Sequence, residues 1–228
     1  MNIFAIGDLH LSKHDKPMDI FGAEWKNHAE KIQTAWNNIV TNDDVVLIPG
    51  DISWAMTLEN ALYDLSEILS LPGEKIFIRG NHDYWWASYN KVKNTFSKYK
   101  NVHFLQNNSI VFGEYSFVGT RGWLIPSCAG YCLSDERVYK RELIRLEMSL
   151  QTAQENKTKI AMLHFPPLFD DQVISGFVEL LEKYEVDTVV YAHLHGKSCK
   201  LGFEGERNGV KYMLCSADYI DFQPIRII

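Results

Sequence analysis

Cysteine is scarce in this sequence, and none of it is arranged for chemistry. The 228 residues hold four, Cys128, Cys132, Cys199 and Cys215. They form no CxxC pair, which argues against a zinc ribbon or a thioredoxin-like redox motif and leaves them as small hydrophobes. Positive charge is short as well: 23 Lys and Arg stand against 29 Asp and Glu, for a formal net charge of −6 and a pI near 5.7. That balance argues against an extended basic platform and so against long nucleic acids, while leaving room for a nucleotide in a small pocket. No apolar run approaches the roughly 20 residues that span a bilayer. Nor does a basic stretch with an apolar run after it open the chain, because Asp8 and His10 interrupt Met1–Leu11. The expectation is a cytoplasmic protein with no membrane partner. Low-complexity tracts, internal repeats and linkers rich in Pro, Gly or Ser are lacking too, so residues 1–228 are expected to form a single domain. What remains is ordinary globular material, 46% hydrophobic and 23% charged, long enough to bury a core without disulfide or metal staples.

Short apolar, β-branched runs recur at Ile3–Ile6, Val45–Ile48, Ile76–Ile78, Val102–Leu105, Ser109–Phe112, Ser116–Val118, Ile160–Leu163, Thr188–Tyr191, Lys211–Cys215 and Ile225–Ile228. Their length and composition predict strands, several of them buried on both faces. Helical periodicity lies between some of them. Ala29, Ile32, Trp36, Ile39 and Val40 share one face, as do Leu58, Ala61, Leu62, Leu65 and Leu69. Thr57 is placed to cap the second of these helices. Ser134 is placed to cap a third, with Asp135 and Glu136 where the helix dipole favours negative charge. A fourth helix is expected over roughly Asp171–Tyr184. Together these predict a layered α/β chain with two sheets and helices outside them. Two irregular segments, Ser12–Ala23 and Thr120–Leu133, are long enough to suggest functional loops.

The informative residues are the polar ones just past the strands. Ile3–Ile6 runs into Gly7-Asp8-Leu9-His10, and Val45–Ile48 into Pro49-Gly50-Asp51. Ile76–Ile78 runs into Arg79-Gly80-Asn81-His82-Asp83, Ile160–Leu163 into His164, and Thr188–Tyr191 into Ala192-His193-Leu194-His195. In α/β sheets, sites collect at the carboxyl ends of strands. One such residue is an ordinary turn former or a satisfied core histidine. Here five blocks recur, and they take in five of the eight histidines. The pooled donors are oxygens and imidazole nitrogens without thiolate, a set that suits Mn, Fe, Zn, Co or Ni. Asp8, His10, Asp51, Asn81, His164, His193 and His195 exceed the needs of one ion and fit two if one carboxylate bridges them.

The ordered blocks Asp8-x-His10, Gly50-Asp51, Gly80-Asn81-His82-Asp83, His164 and His193-x-His195 resemble those of the calcineurin-like metallophosphoesterase superfamily. The resemblance implies a four-layer α/β/β/α sandwich of two mixed sheets flanked by helices, with a dinuclear centre of divalent or trivalent ions. It implies that Asp8, His10 and His195 hold one ion, that Asn81, His164 and His193 hold the other, and that Asp51 bridges. It makes His82 the catalytic histidine beside them. Ala192 stands where the family usually has Gly, a small change. Ile52-Ser53-Trp54 lacks the further Asp and Arg of the phosphoprotein phosphatases. It also puts Trp54 where the purple acid phosphatases carry a metal-bound Tyr, so no iron–tyrosinate site is expected.

Two metal ions about 3.5–4 Å apart can share a hydroxide and clamp a phosphoryl group for in-line attack. His82, one residue past a ligand, is placed to protonate or stabilise the leaving group. Asp83 is read foremost as a cap for a helix from Tyr84 onward, with orientation of the His82 ring as its other reading. Arg121 is placed either to grip a phosphate bidentately or to form a surface ion pair. Arg79 is expected to point away from the metals by strand alternation. Of the aromatics near the motifs, Trp54, Tyr84, Trp85 and Trp86 read mainly as packing, and Trp123 as the better candidate to line a pocket. His14, His28 and His103 read as surface or loop residues. The expected activity is metal-dependent hydrolysis of a small phosphate mono- or diester, nucleotides included. A catalytically silent metal-binding scaffold and a metal store or sensor are the competing functions. The complete ligand set together with His82 favours turnover.

Overall fold

A computed structural model describes residues 1–13, 16–171 and 173–228. The chain divides into two units, residues 1–104 with 215–228, and residues 105–214. Each carries one mixed sheet flanked by its own helices around its own core.

In the first unit, β1 (Ile3–Ala5), β2 (Val45–Pro49), β3 (Glu74–Ile78) and β4 (Val102–Phe104) run parallel in that spatial order. β11 (Ile225–Arg226) closes the β1 edge antiparallel. The connections are helical: α1 (His28–Ile39), then α2 (Leu58–Asp64) with α3 (Ser66–Ser70), then α4 (Tyr89–Thr95). β1 and β2 are buried along their whole length, as their unbroken apolar runs require of parallel strands covered on both faces. α1 buries Ile32 and Trp36, and the Trp36 indole N–H donates to the Pro72 carbonyl at 3.0 Å.

In the second unit, β6 (Tyr115–Thr120), β7 (Thr158–Leu163), β8 (Thr188–Tyr191) and β10 (Val210–Leu214) are parallel neighbours. β5 (Ile110–Phe112) and β9 (Gly205–Arg207) form antiparallel edges. α5 (Leu133–Gln151) follows β6 and α6 (Gly176–Lys183) follows β7. Ser149 of α5 is buried, accepts from Gly119 N and donates to the Asn108 carbonyl, so the helix is keyed to β6 by a polar contact as well as by its apolar face.

The ten apolar runs are all strands, and the expected α/β chain with two mixed sheets and outer helices is present. Four details differ. The helix expected over Leu58–Leu69 is two. The Ser66 hydroxyl donates back to the Tyr63 carbonyl at 2.8 Å, offering the backbone a local partner that competes with helix continuation. α5 is capped by Cys132, whose N–H donates to the Asp135 carboxylate at 3.1 Å; Ser134 lies inside the first turn. The fourth helix starts late, at Gly176, because Ser175 accepts from Val178 N and fixes the boundary there. α4 and β9 carry no apolar run long enough to announce them. Among the described residues, no helix is long and apolar enough to cross a membrane.

Candidate metal centre

The loops leaving β1 and β2 continue to pair after the strands end. Asp8 N donates to Gly50 O at 3.0 Å, His10 N to Asp51 O at 2.9 Å and Leu11 N to Ile52 O at 2.9 Å. This seam forces unusual backbone angles. Asp8 sits at φ 55°, His10 at 44°, Asp51 at 49° and Gly50 at 88°. Non-glycine residues avoid that left-handed region, and where they occupy it the surroundings must hold them there. The loop after β3 closes onto the same seam. His82 N donates to Asp51 Oδ1 at 2.8 Å. Gly80 lies so close to Asp51 that a Cβ there would meet Asp51 Oδ1 at 2.1 Å and Asp51 N at 2.2 Å. Glycine is therefore required at that position for a close approach rather than for φ.

Asp8, His10 and Asp51 are all buried. Ligand atoms of Asp8 and His10 lie within 4.8 Å of each other, and His10 Nε2 lies 3.9 Å from Asp51 Oδ2. Asn81 is half-buried between Gly80 and His82. Asp83 is fully buried and is no helix cap, since α4 begins only at Tyr89. Its carboxylate instead accepts from Gly80 N at 2.7 Å, Ile52 N at 2.9 Å, Ser53 N at 3.2 Å and the Trp85 indole at 3.0 Å. Burial and then the Asp51 charge push its pKa up, and the backbone donors pull it back. Its work is to tie the β3 loop to the β2 loop. Asp64 on α2 does the same for the β1 and β2 loops, accepting from Lys13 N at 3.0 Å and from the Ser53 hydroxyl at 2.5 Å. In the sequence, Asp64 shows only as an acid on the apolar side of a helix, where it is buried.

The second unit brings the three remaining histidines to the ends of its strands. His164 follows β7, is buried, and donates its backbone N–H to Arg121 O at 3.0 Å. His193 follows β8 at φ 75°. Its Nδ1 lies 3.2 Å from His164 Nε2, with the rings 74° apart. Two imidazole nitrogens each about 2.1 Å from one ion would be separated by about this distance. His195 is anchored by Ser198, whose hydroxyl accepts from His195 N at 2.9 Å and donates to His195 O at 2.7 Å. Phe165 packs on His193 with 4.0 Å between ring centroids.

The donor set in the two units is carboxylate and imidazole, with Asp8, His10, Asp51 and His164 buried and His193 and His195 half-buried, chemistry that suits a divalent cation and is costly to bury without a countercharge. On that ground the residues fit metal ions.

Other expectations resolve individually. The Arg121 guanidinium pairs with buried Glu142 at 3.4 Å and lies 4.5 Å over the Trp123 ring. Trp123 also donates to Asp135 at 2.9 Å and packs on Phe165. Trp85 and Trp86 are core, while Tyr84 is exposed. Trp54 stacks on His10 at 4.9 Å and tilts onto His82 at 4.6 Å, so it packs against the motif residues themselves. His28 is not a surface residue. It sits half-buried against Trp25 and Phe222 behind His10, and burial lowers its pKa. His103 lies on β4, paired with Glu74 at 2.6 Å. His14 lies outside the described residues.

Comparison with known proteins follows the same blocks. A family model described as calcineurin-like phosphoesterase matches residues 1–197. Gene 66 protein of Mycobacterium phage L5 is 36% identical over 84 residues, 36% of this chain and 40% of that protein. MJ1445 of Methanocaldococcus jannaschii is 29% identical over 104 residues, 44% of this chain and 57% of that protein. The chain thus spans about half the length of the curated relatives it matches. Among solved structures, the phosphopantetheinyl hydrolase PptH of Mycobacterium tuberculosis aligns with a TM-score of 0.60 at 14% identity, over 100% of this chain and 95% of that one. AQ665 of Aquifex aeolicus aligns with a TM-score of 0.53 at 16% identity, over 99% and 95%. At such identities these two likenesses speak for the fold. The match over residues 1–197 takes in every motif block from Asp8 to His195, and the chain belongs to the calcineurin-like phosphoesterase family.

Proposed function

We propose that the chain is a metal-dependent phosphoesterase with a dinuclear centre, acting on a small phosphate mono- or diester, nucleotides included. Asp8, His10 and His195 would hold one ion; Asn81, His164 and His193 would hold the other; Asp51 would bridge. Bound there, two ions (Mn, Fe, Zn, Co or Ni) would supply Lewis acidity toward phosphoryl oxygens and a nucleophile at neutral pH. Neither unit carries the full ligand set, which is the reason for taking residues 1–228 as one catalytic domain. The cytoplasm is the proposed compartment, a reading with which four cysteines free of any CxxC pair are compatible.

The chain's own residues then have separable tasks. His82 gives a proton to the leaving oxygen or stabilises its charge, with its backbone fixed by the hydrogen bond to Asp51. Arg121 grips the phosphate, and Glu142 with the Trp123 face hold its guanidinium in place beforehand. Asp83 and Asp64 keep the three loops of the first unit together. The observation that carries the reading is local strain: Asp8, His10, Asp51 and His193 all hold left-handed backbone, which a chain keeps where a site needs it.

The test is an assay of protein reconstituted with manganese on p-nitrophenyl phosphate, bis-p-nitrophenyl phosphate and a nucleotide panel. Asp51→Asn is expected to lose metal. His82→Ala is expected to keep metal and to lose roughly 10²–10³ in turnover. Equal activity in the wild type and both variants would end the proposal. A wild type that binds metal but turns over nothing would favour the silent scaffold. Preference between the first two substrates separates monoester from diester chemistry.

A further inference from the structure

Around His82 the first unit builds a wall that the ligand set does not explain. The Trp54 indole contacts both His10 and His82. Its N–H is fixed on the Met18 sulfur at 3.1 Å, so the ring is held edge and face. The Lys16 ammonium lies 3.9 Å from the same ring's centroid. Tyr84 stands edge-on to His82 at 6.0 Å and is 52% exposed. Lys13, three residues before Lys16, gives its ammonium to Glu67 at 3.0 Å and to Ser66 at 2.8 Å. Lys16 rests instead on an aromatic face, an attraction to the ring's π cloud that takes no hydrogen-bond acceptor.

The placement matters because of what His82 serves. If His82 assists the leaving oxygen, the rest of the leaving group must extend from beside the His82 ring. The groups at that ring are the Trp54 indole, the exposed Tyr84 phenol and the His10 imidazole, and the indole in turn carries the Lys16 ammonium. We propose that Lys16, seated on Trp54, is a specificity-determining residue that recognises a second negative charge on the leaving group. The substrate class is then a phosphate ester whose leaving group carries a carboxylate or a further phosphate. This inference rests on the phosphoesterase reading and deepens it.

The experiment compares three substrates with similar phenolic leaving groups: phenyl phosphate, 3-carboxyphenyl phosphate and 1,3-phenylene bisphosphate. The readout is the ratio of kcat/KM for each charged substrate to that for phenyl phosphate, in the manganese-loaded full chain. Lys16→Gln is expected to lower that ratio about fivefold at low salt, the scale of one exposed charge pair, and less at high salt. Lys16→Arg is expected to restore it, and Lys13→Gln to leave it as in the wild type. A larger drop for one charged substrate identifies the anion as carboxylate or phosphate. A ratio that Lys16→Gln does not move, in an enzyme that hydrolyses all three, overturns this inference and leaves the phosphoesterase reading standing. No hydrolysis of any of the three by metal-loaded protein overturns this inference, and the phosphoesterase reading falls with it when bis-p-nitrophenyl phosphate is left intact as well.

Discussion

Ten described non-glycine residues hold positive φ, and Asp8, His10, Asp51 and His193 are four of them. Each costs roughly 1–2 kcal/mol against ordinary backbone, so their concentration on the proposed ligands is hard to read as accident. The seam of hydrogen bonds between the β1 and β2 loops accompanies the angles of the first three, and Gly80 lets the β3 loop lie on Asp51 against that seam. Gly80→Ala tests this directly. The added carbon would meet a backbone nitrogen at 2.2 Å, which no rotamer change relieves. The expected cost is about 2 kcal/mol or more by urea unfolding, with manganese affinity at least tenfold weaker. Gly130→Ala is the control, because its φ is +85° while nothing lies within 4 Å of its Cβ position. It should cost about 1 kcal/mol from backbone strain alone and leave metal binding unchanged. Equal losses in both variants would mean that the close approach at Gly80 is unimportant.

At the scale of elements, helix boundaries carry the sharpest test. The α6 boundary is set by Ser175, which is buried, accepts from Val178 N and donates to the Pro167 carbonyl at 2.6 Å. Ser134, which composition alone would choose as a cap, lies inside α5. Ser175→Ala should therefore cost about 1–2 kcal/mol and Ser134→Ala less than about 0.5 kcal/mol, measured by thermal or urea unfolding. The reverse order would show that the caps are misplaced. The same contrast explains what was legible in the sequence. A strand buried on both faces must be an apolar run, so β1, β2, β7 and β8 announce themselves. β9 is an exposed edge, Gly205-Glu206-Arg207, with no side chains to bury. Its only signal was Asn208-Gly209, whose φ values of 47° and 80° make the two-residue turn into β10. The metal-type residues were readable because strand ends deliver them at fixed places. Asp83 and Asp64 were not, because their role lies in which backbone N–H groups from distant loops point at them, and no local pattern encodes that.

At the scale of the whole molecule, the proposed centre draws its ligands from Asp8 to His195, so an unfolded chain has no site to offer. Metal should then bind the folded state alone and stabilise it by mass action, by about 2.7 kcal/mol at a concentration one hundred times the Kd. For a chain of this length that corresponds to a rise in Tm of roughly 5–10 °C. Manganese added to chelator-stripped protein is expected to give such a rise, and chelation to reverse it. Asp51→Asn removes the proposed bridging charge and should lose most of the rise. His82→Ala binds no ion on this reading and should keep it. That separates a failed metal site from a failed proton donor without any activity measurement. If the stripped and loaded proteins melt together, the buried carboxylates and imidazoles of the two units are not serving a common pair of ions.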